Sequence, residues 1–294
     1  MTTSIITIAN QKGGVGKTTS VCNLAASYAD NGKKILIVDL DYQGNLTELF
    51  NVPHEIAKKN SIARVISEEA ELPSLITKTD TKGIDIIPCT REFDEQREKI
   101  NGEANQFHFL QVFFKHDAIN DYDFVLIDTH PAQDLFFKAA LVASHYYLIP
   151  LFPEHDSCQG LAHQINAASK VSKFLNPMLY LLGVFITKFD RNYKTHETHL
   201  ELLKQAAKET DFHLFNTVIP SSAAVPSASA SHIPLNQYKA HLSVSTAYAT
   251  LAGEILPLLK GKRTGRKPAP VKTDALLNYT PPSSNYEIGT LAAI

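Results

Sequence analysis

The chain places Lys12-Gly13-Gly14-Val15-Gly16-Lys17-Thr18-Thr19 just after the β-rich apolar run Ser4-Ile5-Ile6-Thr7-Ile8-Ala9. A strand, a glycine loop closing on Lys-Thr and a helix-forming segment make the context that phosphate binding needs. Gly13, Gly14 and Gly16, with Val15 among them, let backbone N–H groups turn inward around phosphate oxygens. A helix starting near Lys17 directs its positive end at the same point. Lys17 adds a point charge for β- and γ-phosphates, the Thr18 hydroxyl is placed to ligate Mg²⁺, and Thr19 completes the loop. An ordinary glycine turn is the competing reading, and the flanking strand and helix decide against it. A second lysine, Lys12, stands at the front of the loop. Most lysines are simply solvated, but one at the mouth of a phosphate cradle reaches phosphate.

Two further segments put carboxylates at strand ends. The run Lys34–Asp39 continues into Asp39-Leu40-Asp41-Tyr42-Gln43-Gly44-Asn45, and Phe124-Val125-Leu126-Ile127 runs into Asp128-Thr129-His130-Pro131. Phosphoryl transfer mostly requires positioning of water, metal and charge, so carboxylates beside the loop are expected. Asp128 is expected to hold Mg²⁺ through water, because Mg²⁺ parts reluctantly with its waters. The plainer reading of Asp39 and Asp41 is a pair capping the next turn. His130 is read as packed or solvated rather than as a ligand; a titratable ring beside the γ-phosphate is the sharper alternative.

With this spacing the chain resembles the ParA/MinD family of P-loop ATPases, whose Walker A motif is called deviant, and within it the Soj-like partition proteins. The resemblance covers about residues 1–259. It implies ATP and Mg²⁺ as cofactors and an ATPase that is weak without its partner. It implies that Lys12 crosses an ATP-sandwich homodimer to touch the partner's nucleotide. Lys12, Lys17 and Asp41 are then the catalytic residues, with Asp41 positioning or activating the attacking water. Asp39 supports a metal shell that includes Thr18 and Asp128. The family pattern Asp-x-Asp-Pro-Gln-Gly-Asn is matched except that Tyr42 replaces the proline, and Asp-x-Pro-Pro is matched except at His130. Ile149–Glu154 with Gly160-Leu161 resembles the strand after Walker B and its following helix. Thr187-Lys188-Phe189-Asp190 and Val218-Ile219-Pro220 resemble the segments that flank adenine, with Pro220 as a nucleotide contact.

The elements that must position these residues are legible as an alternation. Strand-like runs fall at 4–9, 34–39, 84–88, 124–128, 146–151, 179–187 and 215–220, and helical patterns at 17–30, 106–118, 157–174, 195–210 and 238–259. Several strands are apolar without alternation, as strands covered on both faces are. The predicted fold is α/β: a mostly parallel twisted sheet with helices on both faces. The chain's 294 residues suffice for one large α/β domain or two small ones. Three scattered cysteines, Cys22, Cys89 and Cys158, argue against a disulfide scaffold or a zinc ribbon and fit a reducing cytosol. No signal peptide or membrane-spanning run is read, so a cytoplasmic, nucleoid-associated protein is expected. The ATPase domain is placed at 1–259 and a basic, proline-containing flexible tail at 260–294.

A formal charge of −2 excludes a general polycation, so DNA binding requires a local patch. Arg191 and Lys194 serve one place where DNA-binding relatives are basic. The other place, an arginine after Ile-Pro, is Ser221 here. Lys260, Lys262, Arg263, Arg266 and Lys267 form a basic stretch that could restore the lost contact. The expected function is partition: an ATP dimer that binds DNA without sequence preference and is released when a ParB-like or adaptor protein stimulates hydrolysis. A MinD-like membrane cycle is the alternative, but the tail's glycines and prolines suit an interfacial helix poorly. A nucleotide-gated scaffold with incidental turnover is a third. No room exists before Lys12 for a helix-turn-helix domain, so site-specific repression is not expected.

Overall fold

A computed structural model of the chain describes residues 3–66, 70–93, 107–261, 271 and 273–277. Its strands are β1 (Ser4–Ile8), β2 (Ile35–Leu40), β3 (Thr77–Lys78), β4 (Ile84–Ile87), β5 (Phe124–Thr129), β6 (Tyr146–Leu151), β7 (Tyr180–Phe189) and β8 (Leu214–Pro220). They form an eight-stranded sheet in the order β3-β4-β2-β5-β1-β6-β7-β8. Every ladder is parallel except β3 on β4. From β1 the chain moves out past β5 to β2; after β5 it returns past β1 to β6. The reversal at β1 leaves a crevice at the carboxyl ends of the strands, which is where open α/β sheets bind ligands.

The helices are α1 (Lys17–Asp30), α2 (Asn45–Leu49), α3 (His54–Lys59), α4 (Ala63–Ile66), α5 (Leu72–Leu75), α6 (Phe109–Phe113), α7 (Leu135–Ala143) and α8 (Ser157–Phe174). They continue with α9 (Lys194–Thr210), α10 (Ala224–Ala230), α11 (Leu235–Lys239), α12 (Ser243–Gly261) and α13 (Asp274–Leu277). On one face of the sheet, Ile6, Ile8, Ile35 and Ile37 pack with Val21, Leu24 and Tyr28 of α1 and with Leu251 and Ile255 of α12. On the other, Ile5, Leu36, Val38, Val125 and Ile127 pack with Leu110 of α6 and Phe136 of α7. Helices thus cover both faces, which is why these strands carry apolar residues at consecutive positions. Each fully buried Leu or Ile contributes about 1.5–3 kcal/mol relative to exposure.

The predicted sheet is present. The short helices α2, α3, α4, α5, α10 and α13 lie outside the helical patterns read from the sequence, and the longer ones differ in three places. Within 106–118 the described helix covers only Phe109–Phe113, because the His116 side chain accepts from the Ala118 N–H and starts a 3₁₀ turn at Asp117–Asp121. The 238–259 pattern divides into α11 and α12, and α12 accommodates Pro257 and continues to Gly261. Helix α7 was not expected; eight of its nine residues are apolar and buried, Lys138 alone being partly exposed, so the helical period is faint.

The expected flexible tail also needs correction at one point. Residues 273–277 dock on α8 and α9: Leu276 is fully buried in the cluster that holds Ile165, Leu203 and Phe212. The Thr273 hydroxyl donates to Asn166 Oδ1 at 2.7 Å. Lys260 falls in the last turn of α12, while Lys262, Arg263, Arg266 and Lys267 lie outside the described residues.

Candidate functional site

The loop between β1 and α1 is anchored at both ends and in the middle. Asn10 donates to the Pro150 carbonyl at 2.7 Å and accepts from the Lys12 N–H at 3.0 Å. The Gln11 N–H donates to Gln164 Oε1 at 3.2 Å, and the Thr187 hydroxyl donates to the Val15 carbonyl at 2.8 Å. Gly16 heads α1 at φ 86°, a left-handed geometry that suits glycine and leaves the first N–H groups of the helix facing the cleft. The loop is therefore preformed.

Lys17 is buried, and its Nζ donates to the Lys12 carbonyl at 3.1 Å. Burial lowers its pKa; the Asp128 and Asp41 carboxylates oppose that shift. Asp39 and Asp128 occupy the same level of adjacent strands, paired in the β2–β5 register. Their environments then diverge. Asp39 Oδ1 accepts from the Asp41 N–H at 3.0 Å, and Oδ2 accepts from the Thr47 N–H at 2.9 Å and the Thr47 hydroxyl at 2.7 Å. Burial still raises its pKa to about 7 against those hydrogen bonds. Both oxygens of Asp128 are buried and accept no hydrogen bond of good geometry, although the Thr18 hydroxyl is near enough to ease its ionisation. Burial, then Asp39, pushes the Asp128 carboxyl well above the usual range.

These contacts tie Asp39 to the segment that follows it, so it positions Asp41 and the start of α2, and Oδ1 keeps one acceptor site for the metal-shell role that the resemblance implies. Asp128 and Thr18 fit a metal site: an orphaned buried carboxylate beside a hydroxyl is what a hydrated dication would satisfy. No group of three or more His, Cys, Asp or Glu among the described residues could cage an ion. Mg²⁺ is ordinarily held by one or two protein groups plus water and phosphate.

Asp41 is buried with its Oδ1 accepting from the Gln43 N–H at 3.0 Å. Gly44 closes the turn at φ 68°, and a Cβ there would stand 3.2 Å from the Cys89 carbonyl. The carboxylate faces a cleft of about 1110 Å³ that Gly13, Lys17, Thr18, Thr19, His130 and Pro220 also line. Lys12 is half-exposed at the mouth and ion-paired with Glu154. Arg191 and Lys194 are not brought to the loop. They are exposed where β7 meets α9, and Arg191 lines a neighbouring cleft of about 1010 Å³ with Glu197, Glu201 and Ser221. Among residues the sequence reading missed, Asn10 had a signal, being the first polar residue after β1. Thr47 and Gln164 had none; their contacts span from 8 to 153 residues.

A phosphate-binding loop on a doubly covered parallel sheet, with two carboxylate-tipped strands beside it, defines a P-loop nucleotide-binding protein. Comparison with known proteins narrows this. A family described as "AAA domain" matches residues 3–181. The chromosome-partitioning ATPase Soj of Treponema pallidum is 30% identical over 247 residues, 84% of this chain and 94% of that protein. A plasmid partition protein from Borrelia burgdorferi superposes with TM-score 0.70 at 26% identity, covering 87% of this chain and 99% of the other. A structure described as cobyrinic acid a,c-diamide synthase from Mycobacterium smegmatis, with ADP and magnesium bound, gives TM-score 0.74 at 26% identity over 92% and 98%. This chain belongs to the ParA/MinD family of P-loop ATPases with a deviant Walker A motif.

Proposed function

We propose that this chain is a ParA-type partition ATPase. It binds Mg²⁺-ATP, closes into a sandwich dimer through Lys12, and hydrolyses ATP when a ParB-like or adaptor protein stimulates it. The observation that carries the reading is the orphaned Asp128 carboxylate beside Thr18 and Lys17, on the strand next to the one that delivers Asp41. Thr18 and Asp128 would hold Mg²⁺, which would supply neutralisation of the phosphate charge. The protein's own groups do the rest. The loop N–H groups and Lys17 hold the phosphates, and Asp41 orients the water that attacks the γ-phosphorus. Lys12 must release Glu154 before it can reach a second nucleotide, so dimerisation competes with an ion pair in the single chain.

The similarity to Soj and to a partition protein supports DNA as the matrix along which cargo is carried. The exposed Arg191 and Lys194 also support it, although Glu197 and Glu201 sit beside Arg191 and oppose an anionic ligand. The basic residues from Lys260 to Lys267 are therefore assigned most of the phosphate contacts. Binding of non-specific DNA is measured with ATP, with ADP, and with Lys12→Ala plus ATP, across a salt series. Binding only with ATP, lost in Lys12→Ala and falling steeply with salt, is the expected result. No binding in any state refutes the DNA reading and directs the search to lipid surfaces, starting with vesicle sedimentation.

A further inference from the structure

Two of the positions where this chain departs from its family's loops, Tyr42 and His130, meet in space. Tyr42 immediately follows Asp41, and His130 lies two residues after Asp128. Their ring centroids are 4.8 Å apart with the planes at 47°. The β2–β5 ladder ends at Leu40↔Thr129, so both rings lie just past the last backbone pairing. Among the described ring contacts this is the one that joins the two loops.

Each ring is also tied back into its own segment. Tyr42 is half-buried and packs on the core cluster that includes Val38, Ile127 and Phe136. His130 Nδ1 lies 3.5 Å from Asp134 Oδ2, and Asp134 Oδ1 accepts from the Phe137 N–H at 3.0 Å, capping α7. A continuous chain of contacts therefore runs from Asp41 through Tyr42, His130 and Asp134 into α7. A proline at either position would stiffen its own loop by locking φ, without linking one loop to the other. A ring pair does the reverse.

We propose that the Tyr42–His130 ring pair is a clasp that makes the Asp41 and Asp128 segments move as one unit, so that both residues are positioning residues for ATP hydrolysis. This rests on the ATPase reading above. Hydrolysis needs the water-orienting and metal-holding carboxylates within a fraction of an ångström of their productive places, and remote misplacement is costly. The clasp supplies that alignment through packing, its two rings lining the same cleft as Asp41.

The test is a double-mutant cycle on the full-length chain with Mg²⁺-ATP, comparing wild type, Tyr42→Ala, His130→Ala, the double variant and His130→Phe. Each alanine single is expected to lower kcat about tenfold with KM changed less than about twofold. The double variant is expected to lose about tenfold as well, not the roughly hundredfold of independent residues. His130→Phe keeps a ring and is expected to recover to within about threefold of wild type. Losses that multiply, or a His130→Phe variant as slow as His130→Ala, overturn the clasp. If an alanine variant melts below the assay temperature, Tyr42→Leu and His130→Leu replace the pair. Release of a fluorescent ATP analogue with Mg²⁺ is timed on the same proteins. A wild type that binds the analogue but never turns ATP over refutes the ATPase reading alone; multiplying effects on the release rates would then overturn the clasp independently.

Discussion

At the scale of single residues, two aspartates at one level of adjacent strands are made different by what surrounds them. Thr47 supplies two of the hydrogen bonds to Asp39, and its own hydroxyl accepts from the Cys89 N–H at 2.9 Å. Thr47→Val leaves both partners short in a dry site, so denaturant unfolding should show a loss of about 1–3 kcal/mol. Asp128 has no such partners, and Asp128→Asn should leave the fold intact while abolishing the Mg²⁺ dependence of nucleotide affinity, read by titration with and without Mg²⁺. Asp41→Ala separates binding from chemistry. Nucleotide affinity should stay near wild type while kcat falls by roughly 10²–10⁴, the range of a lost base or water-orienting group. A parallel fall in affinity would place Asp41 in binding instead.

At the scale of elements, the site depends on turns that reach into other segments. Gly44 at φ 68° is 3.2 Å from the Cys89 carbonyl at its would-be Cβ, so Gly44→Ala combines backbone strain with a close contact. A loss of about 1–3 kcal/mol in thermal or denaturant unfolding is expected. The docked segment 273–277 makes a separate claim. Leu276 is fully buried between α8 and α9, and Leu276→Ala should cost about 2–5 kcal/mol if the segment belongs to the cooperative fold. An unchanged unfolding midpoint would mean that the segment opens independently of the domain. Parts of this were legible beforehand and parts were not. Strand and loop were readable because a long apolar run followed by Gly and Lys-Thr has few other uses. Helix α7 was not, because burial of all its residues but Lys138 blurs the period that reveals a surface helix. Docking at 273–277 was hidden too, since its partner Asn166 lies 107 residues away.

At the scale of the whole molecule, the proposed activity joins two copies of the chain. Lys12 is ion-paired with Glu154 in the single chain, so Glu154→Gln should favour the ATP-dependent dimer and Lys12→Ala should abolish it. Analytical ultracentrifugation with a non-hydrolysable ATP analogue distinguishes them. A surface ion pair of this kind is worth about 0–1 kcal/mol and two are released per dimer, so the Glu154→Gln effect should stay below about thirtyfold in the dimer dissociation constant. DNA affinity is the second whole-molecule quantity. Changing Lys262, Arg263, Arg266 and Lys267 to Gln should flatten the log–log salt slope by about 3–4 per subunit while ATP binding is retained. An unchanged slope would assign the phosphate contacts to the folded domain.

By itself the sequence determined the kind of protein and the chemistry of its loop. A phosphate cradle is local: a strand, three glycines, a lysine and a threonine lie within sixteen residues (Ser4–Thr19), and their spacing alone sets the geometry. The same held for the covered parallel sheet, because strands buried on both faces must be apolar throughout. The tertiary structure alone decided which carboxylate is committed to hydrogen bonds and which is left with orphaned oxygens. It also decided that Tyr42 and His130 meet and that Lys12 rests on Glu154. These are contacts between residues 88 and 142 positions apart. They arise from strand order and register, which place β5 between β1 and β2 and bring three loop ends to one crevice. No local pattern encodes that adjacency, because it is a property of how the strands assemble.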